Sequence, residues 1–451
     1  MSVVESRSPQ NPADVVARVT TPGAAGVAAA VDAARAAQPG WARANAAERS
    51  AALAGAAEAV AAAAGELAAL VVREVGKPIT EAKGEVGRAV AILRYYAQQV
   101  YDPVGAVHEP SGAGLAYTRR RPHGVAGLIT PWNFPLAIPL WKAAPALAFG
   151  NAVILKPAPQ ATACALRLAE LLGLPEGLFQ IVPGDAEEGQ ALVDAADVVS
   201  FTGSAAVGRG VSVSAAGRGV PVQAEMGGQN AAIVLDDANI EAAAAQIAAA
   251  AFGYAGQKCT ATKRVITVGN AAEVREALTA AVAKLGVGDP ADPGTAVGPL
   301  IEESARDRVI SATEGARVLA GGEALARDGW YAAPTLVDGA PADHLLAREE
   351  VFGPICLVQD AASVDEAVAL ANGVRYGLVS AVYTGDLDRA LDVSSRLDTG
   401  LVKVNNPTSG VDFYLPFGGV KDSSHGPREQ GKAAQEFYTS THTVALGPSG
   451  R

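Results

Sequence analysis

The chain has 451 residues, 49% hydrophobic and 18% charged, with 36 Lys+Arg against 47 Asp+Glu and a net charge of −11. This excludes a disordered chain, suits roughly three domains at about 150 residues each, and with a pI near 5.1 argues against nucleic acid or anionic membrane as partner. Three cysteines exclude a disulfide scaffold and fit a reducing compartment, by default the cytoplasm, and five scattered histidines leave no metal site to expect.

The first residues, MSVVESRSPQNPADVV, carry an acid and no apolar run, so no signal peptide is expected. From Val27 to Val100 the pattern is helical, with breaks predicted near Pro39-Gly40 and at Gly76-Lys77-Pro78. Within it, the tract from Ala51 to Val72 is mostly alanine and interrupted by Glu58 and Glu66. It reads as a surface or partly buried helix and not as a membrane span. Residues 104–122 change character and read as two short strands around a Ser-Gly-Ala-Gly turn, a projecting hairpin.

A regular alternation follows. The apolar runs Val125–Ile129, Ala152–Leu155, Phe179–Val182, Val198–Phe201 and Val220–Ala224 read as buried parallel strands, separated by helices near 138–149, 161–173, 187–195 and 205–214. A second alternation after Asn230 has strands at Val265–Val268, Cys356–Val358, Leu378–Val382 and Leu401–Val404. Two α/β layers of this kind imply doubly wound, mostly parallel sheets.

Five motifs sit at strand ends. Thr130-Pro131-Trp132-Asn133-Phe134-Pro135 follows the first strand; its prolines hold the loop extended and leave the Asn133 amide free to donate, or Asn133 is an ordinary turn residue. Lys156-Pro157-Ala158-Pro159 closes the second strand, where a lysine suits sugar hydroxyls or phosphate, although lysines commonly flank strands. Phe201-Thr202-Gly203-Ser204-Ala205-Ala206-Val207-Gly208 is a glycine turn whose amides could face a pyrophosphate at a helix N-terminus, but it lacks the G-x-G-x-x-G spacing. Glu225-Met226-Gly227-Gly228 ends the fifth strand, where parallel sheets place ligands; a lone Glu is otherwise a solvated surface acid. In Gly256-Gln257-Lys258-Cys259 a cysteine follows a basic side chain after a glycine turn, which suits a thiolate nucleophile or a buried structural cysteine.

The order and spacing of these motifs, with Glu350-Val351-Phe352-Gly353-Pro354 and Pro416-Phe417-Gly418-Gly419, resemble the aldehyde dehydrogenase superfamily from Asn11-Pro12 to about Leu446. The resemblance implies an α/β fold with a Rossmann-like cofactor domain (1–103 and 123–227), an α/β catalytic domain (228–433) and a β oligomerisation arm (104–122 and 434–451). It also implies a homodimer or homotetramer acting on a small-molecule aldehyde. Carried over residue by residue, it makes Cys259 the nucleophile, Asn133 and the Cys259 N–H the oxyanion donors, and Glu225 the base that hydrolyses the thioester. For the cofactor, Lys156 is matched to the adenosine ribose and Ser204, with Gly203 and Gly208 in its turn, to the pyrophosphate. Glu350 is matched to the nicotinamide ribose, with Phe352 beside it; Thr130, Pro131, Trp132 and Gly227 line the same cleft. For Trp132 and Phe352, core packing is the competing role.

Three departures matter. Pro159 stands where NAD-preferring relatives carry an acid that repels a 2′-phosphate, so NADP should bind at least comparably to NAD and could be preferred, unless NAD wins through other contacts. The chain starts close to Asn11-Pro12, so an outer leading strand is expected to be missing. The stretch Asn405 to Phe413, with Lys421-Asp422-Ser423-Ser424, Gly426 to Gly431 and residues 256–265, resembles the 2-oxoglutarate semialdehyde branch, which implies an aldehyde with a distal carboxylate. The competing readings are a broad-specificity aliphatic or aromatic aldehyde dehydrogenase, a relative that passes its thioester to CoA, which Glu225 argues against, and, from other classes, a thioester-forming hydrolase or a silent structural relative.

Overall fold

A computed structural model describes residues 2–448; the first residue and the last three of the ranges given above lie outside it. Each of the five apolar runs after residue 122 is a strand of one sheet. From one edge the order is Val222–Glu225, Val198–Thr202, Val125–Thr130, Ala152–Pro157, Phe179–Ile181, all parallel, with Ser424–His425 added antiparallel outside Val222–Glu225. These strands are apolar because Ala137–Ala148, Thr162–Leu172, Ala186–Ala195 and Ala205–Gly217 cover the sheet and leave most strand residues buried. The chain enters at the central strand, builds outward to Phe179–Ile181, then crosses to the other side. The strand ends Thr130 and Thr202 therefore flank a topological switch point, the place where such sheets bind ligands.

The second sheet has seven strands in the order Arg317–Ala320, Thr335–Asp338, Ile355–Ala361, Thr262–Val268, Asn230–Val234, Val379–Tyr383, Leu401–Val404, parallel except for the first pair. All four expected runs are strands here. Three more were not anticipated: Asn230–Val234 lies directly after a glycine turn and reads as its continuation, Thr335–Asp338 has only four residues, and Arg317–Ala320 is a half-exposed edge.

The N-terminal helices are Gly23–Arg43, Ala46–Ala62, Ala64–Val75 and Ile79–Gln99. The break expected at Gly76-Lys77-Pro78 is present, with Gly76 at φ +66°, but the one expected at Pro39-Gly40 is not. Proline near the end of a helix forfeits one hydrogen bond, and Trp41 holds that last turn on the core through a 2.8 Å bond from its indole N–H to the Leu147 carbonyl. Among the described residues no single helix is long and apolar enough to cross a membrane. Ala46–Ala62 and Ala64–Val75 meet the length and composition only as a pair bent by 70°, and their Leu53, Leu67 and Val71 are buried in the core beneath the first sheet.

A leading strand is present after all: Val3–Ser8 pairs antiparallel with Asn11–Thr20. Its turn is tied to both layers, since the Pro9 carbonyl accepts from Trp330 N–H at 3.1 Å and Gln10 donates to the Val72 carbonyl at 3.0 Å. The hairpin segment forms Val107–His108 and Leu115–Pro122, and Thr439–Leu446 pairs along the whole length of Leu115–Pro122 to make a three-stranded sheet.

Candidate active site

The Cys259 turn is built under backbone strain. After the helix Ile240–Phe252, Tyr254 and Ala255 adopt φ of 55° and 52°, followed by Gly256 at 63°. Left-handed non-glycine residues cost about 1–3 kcal/mol each and need surroundings that hold them. Tyr254 is held by its N–H on the Ala296 carbonyl at 3.0 Å and its hydroxyl on the Val75 carbonyl at 3.2 Å. A Cβ on Gly256 would lie 2.3 Å from the Gly353 carbonyl oxygen, so only glycine closes the turn. Buried Gln257 is fixed by Ile301 N–H at 2.9 Å, and the Cys259 carbonyl accepts from Asn230 at 2.8 Å. Cys259 itself is half-buried and lines a cavity.

Asn133 meets this turn from the first sheet, its Nδ2 donating to the Gln257 carbonyl at 2.9 Å, which leaves the second N–H of that amide available. Its loop rests on an ion pair between Glu85 and Lys77, the latter part of the expected helix break. Glu85 accepts from the N–H groups of Leu136 and Ala137 at 2.9 and 3.0 Å, where the helix Ala137–Ala148 starts, and is ion-paired to fully buried Lys77. Lys77 Nζ in turn sits 3.7 Å from the Phe134 ring centroid and 4.8 Å from that of Tyr254. One cation therefore supports both the Asn133 loop and the Cys259 turn.

Glu225 is buried at the end of Val222–Glu225 and is not a solvated surface acid. Ser424 donates to its Oε2 at 2.5 Å, while Oε1 has no partner and lies where a Cβ on Gly418 would come within 2.7 Å. Burial pushes its carboxyl well above the ordinary range and the Glu429 carboxylate adds to this, while Ser424, Lys142 and Arg428 oppose it. Lys142, also buried, pairs with Glu429 and donates to Ser200 at 2.8 Å. Neither residue stands out in the sequence: Lys142 lies within the helix expected near 138–149, and Glu429 is 204 positions from Glu225 (429 − 225).

The expected role of Lys258 needs correction. Lys258 pairs with Glu81 at 2.8 Å and does not activate the thiol. Burial, together with the carboxylates of Glu350, Glu225 and Glu429, pushes the Cys259 thiol up to about 12. The free protein holds a protonated thiol ringed by acids.

The remaining motif residues gather at the switch point. The hydroxyls of Thr130 and Thr202 are buried without a partner, an arrangement that calls for a ligand acceptor or donor. Ser204 caps the 13-residue helix Ala205–Gly217, its hydroxyl accepting from Val207 N–H, and a Cβ on Gly203 or Gly208 would come within 2.6 Å of Phe201 and 2.7 Å of Met226 respectively. Glu350 packs against the glycine turn so closely that a Cβ on Gly227 would lie 1.9 Å away, and it accepts from Gly228 N–H at 3.2 Å. Burial raises Glu350 to about 7, opposed by Lys263. Half-buried Trp132 and Phe352 stack edge-to-face at 5.8 Å, with Pro131 turning the chain between Thr130 and Trp132. Lys156 donates to the carbonyls of Pro157 and Gly184 at 3.0 and 2.8 Å. Position 159 carries no acid, but Asp185 and Glu188 both act on the Lys156 charge from another segment. These features fit a dinucleotide lying across the strand ends: orphaned hydroxyls, a helix N-terminus and a carboxylate cradled by glycine.

The cavity lined by Cys259 includes none of Thr130, Lys156, Gly203 or Ser204; the helix Ile79–Gln99 and residues 409–411 border it.

Comparison with known proteins gives the family of the chain. Residues 2–444 match the model of the Aldehyde dehydrogenase family. The alpha-ketoglutaric semialdehyde dehydrogenase of Bacillus subtilis (strain 168) is 39% identical over 99% of this chain and 95% of its own. An NAD-dependent aldehyde dehydrogenase from Sinorhizobium meliloti superposes with a TM-score of 0.95 at 35% identity, covering 99% of this chain and 92% of that one. An NADP-dependent enzyme from E. coli has a TM-score of 0.95 at 34% identity, covering 99% and 95%.

Proposed function

The chain belongs to the aldehyde dehydrogenase family, and we propose that it oxidises an aldehyde bearing a distal carboxylate, such as 2-oxoglutarate semialdehyde, to the acid, using NAD or NADP. The observation that carries this reading is the convergence on Cys259, which lines a cavity, of Asn133, bonded to the Gln257 carbonyl two residues before it, and of buried Glu225, whose carboxyl acts on the thiol. Support for the substrate comes from the 39% identical Bacillus protein; support for either cofactor comes from the Sinorhizobium and E. coli structures.

In this reading the Cys259 thiol gives its proton to solvent and the sulfur bonds to the aldehyde carbon. The carbonyl oxygen becomes an alkoxide facing the free N–H of the Asn133 amide and the Cys259 N–H. Thr130, Lys156, Ser204, Glu350 and their neighbours would hold NAD or NADP, which would take the hydride that leaves the carbon as the C=O re-forms and a thioester results, and whose positive ring would favour thiolate. Glu225, once ionised, takes a proton from water; the water oxygen attacks the thioester carbon, the C–S bond breaks and the sulfur regains its proton. We assign 1–103 with 123–227 to the cofactor, 228–433 to catalysis, and 104–122 with 434–451 to assembly of a homodimer or homotetramer. Three unpaired cysteines suit the cytoplasm.

The test is absorbance at 340 nm with a panel of aldehydes and both nicotinamides. Acid formation coupled to reduction of either nicotinamide is expected; aldehyde or ester turnover without it would point to a hydrolase.

A further inference from the structure

The wall of the Cys259 cavity, about 320 Å³, includes one stripe of the helix Ile79–Gln99: Glu81, Gly84, Glu85 and Arg88, at the i, i+3, i+4, i+7 spacing of a single face. Its charges are unevenly matched. Glu81 is neutralised by Lys258 at 2.8 Å and Glu85 by buried Lys77. Arg88 forms no ion pair among the described residues. Its Nη1 donates to the Val411 carbonyl at 2.5 Å, and no other protein acceptor takes its remaining N–H groups. Asp412, the acid with the largest influence on it, is exposed and also acts on Lys403. The lining therefore keeps one half-buried guanidinium without an ion-pair partner among the described residues, in a cavity that Cys259 also lines.

We infer that Arg88 anchors the carboxylate at the far end of the substrate and so determines specificity for ω-oxo acids over uncharged aldehydes. This rests on the proposed oxidation at Cys259 and assigns its substrate class to a residue. A guanidinium presents a planar fork that matches a carboxylate with two parallel hydrogen bonds, which an ammonium does not reproduce. Gly84, one turn earlier, leaves the approach open, since a Cβ there would meet nothing within 4 Å. Phe134, Trp141 and Phe417 line the same cavity and offer apolar surface to the methylenes between the two ends.

The experiment compares wild type, Arg88→Met and Arg88→Lys in the full chain. For each, kcat/KM is measured with 2-oxoglutarate semialdehyde and succinic semialdehyde and, as uncharged counterparts, pentanal and butanal. In Arg88→Met the ratio of carboxylate-bearing to uncharged substrates should fall by about tenfold to a hundredfold, since a hydrogen bond to a charged group is worth about 1.5–3 kcal/mol. The loss should appear in KM, and Arg88→Lys should lie between. A second readout needs no turnover: glutarate should slow alkylation of Cys259 by iodoacetamide in wild type and lose that effect in Arg88→Met. A preference for semialdehydes that survives Arg88→Met keeps the substrate class and overturns the anchor. An equal loss for all four aldehydes also overturns it, leaving Arg88 a support for the 409–411 loop. A wild type that oxidises only the uncharged aldehydes overturns the substrate class and the anchor together while leaving aldehyde oxidation standing. If no aldehyde is turned over, the oxidation itself fails, and glutarate protection still decides whether Arg88 binds a carboxylate.

Discussion

Asn133 donates its side-chain amide to the Gln257 carbonyl at 2.9 Å, two residues before Cys259. That bond fixes the donor before any substrate arrives, which is what gives an oxyanion site its effect: dipoles aimed in advance cost no reorganisation during reaction. Asn133→Ala should lower kcat by about 10²–10³, the usual cost of one such donor, while dinucleotide affinity measured by fluorescence titration changes little. A loss under about tenfold would remove Asn133 from the oxyanion role.

Cys259→Ser should abolish aldehyde oxidation and leave dinucleotide binding intact, because a serine hydroxyl is a far poorer nucleophile. The thiol also has a definite pH signature. With its titration raised to about 12 by burial and the acids around it, the thiolate is scarce at neutral pH in the free protein and grows as pH rises. Iodoacetamide alkylation of the free protein should therefore be slow at pH 7 and climb steadily to pH 10, and saturating NAD should accelerate it at pH 7. A plateau below pH 8 without cofactor would contradict the neutral-thiol description.

Glu225→Gln should keep a first-turnover burst of reduced nicotinamide while steady-state turnover slows, since only hydrolysis needs the base. Burial raises the Glu225 carboxyl, so its charged form is lost as pH falls through that raised value and gained as pH rises. Steady-state turnover limited by deacylation should then increase with pH in wild type and lose that dependence in the Gln variant. If burst and steady state fall together, Glu225 acts before the thioester forms.

Much of this was legible in the sequence because strand ends carry motifs. The runs from Val125 to Ala224 are apolar on both faces and stand out, and their terminal residues Thr130, Lys156, Thr202 and Glu225 reach one edge of a sheet by topology alone. What stayed hidden depends on distant segments meeting. Lys77 looked like punctuation in a Gly-Lys-Pro break, yet it lies under both Phe134 and Tyr254. Lys258 looked like the activator of its neighbour, but adjacent residues on a turn can point apart, and its ammonium finds Glu81 177 positions earlier. The strand Val3–Ser8 has little alternation and owes its place to a partner strand and to Trp330.

The strand Thr439–Leu446 is paired on one side only, and most of its residues are exposed. An eight-residue open edge invites another strand. Light scattering at micromolar concentration should find a dimer or tetramer, and truncation before Thr439 should yield a smaller species. An active monomer of the intact chain would rule out this edge as an assembly surface.

The choice of nicotinamide turns on the surroundings of Lys156. With Pro159 in place of an acid, NADP should bind at least comparably to NAD, and Pro159→Glu should move the kcat/KM ratio toward NAD by about tenfold or more. A charged hydrogen bond to the 2′-phosphate is worth about 1.5–3 kcal/mol, and each tenfold corresponds to about 1.4 kcal/mol. Because Pro159 opens the short turn Pro159–Ala161, the variant must first show unchanged melting and an unchanged aldehyde KM. The opposing influence is already in place: Asp185 and Glu188 both act on Lys156, and Lys156 is engaged by the Pro157 and Gly184 carbonyls. If NADP reaches less than about a hundredth of the NAD efficiency in wild type, these two carboxylates exclude the phosphate and position 159 does not. Asp185→Asn should then raise NADP efficiency where Pro159→Glu has no further effect, which separates the two sources of repulsion in one pair of variants.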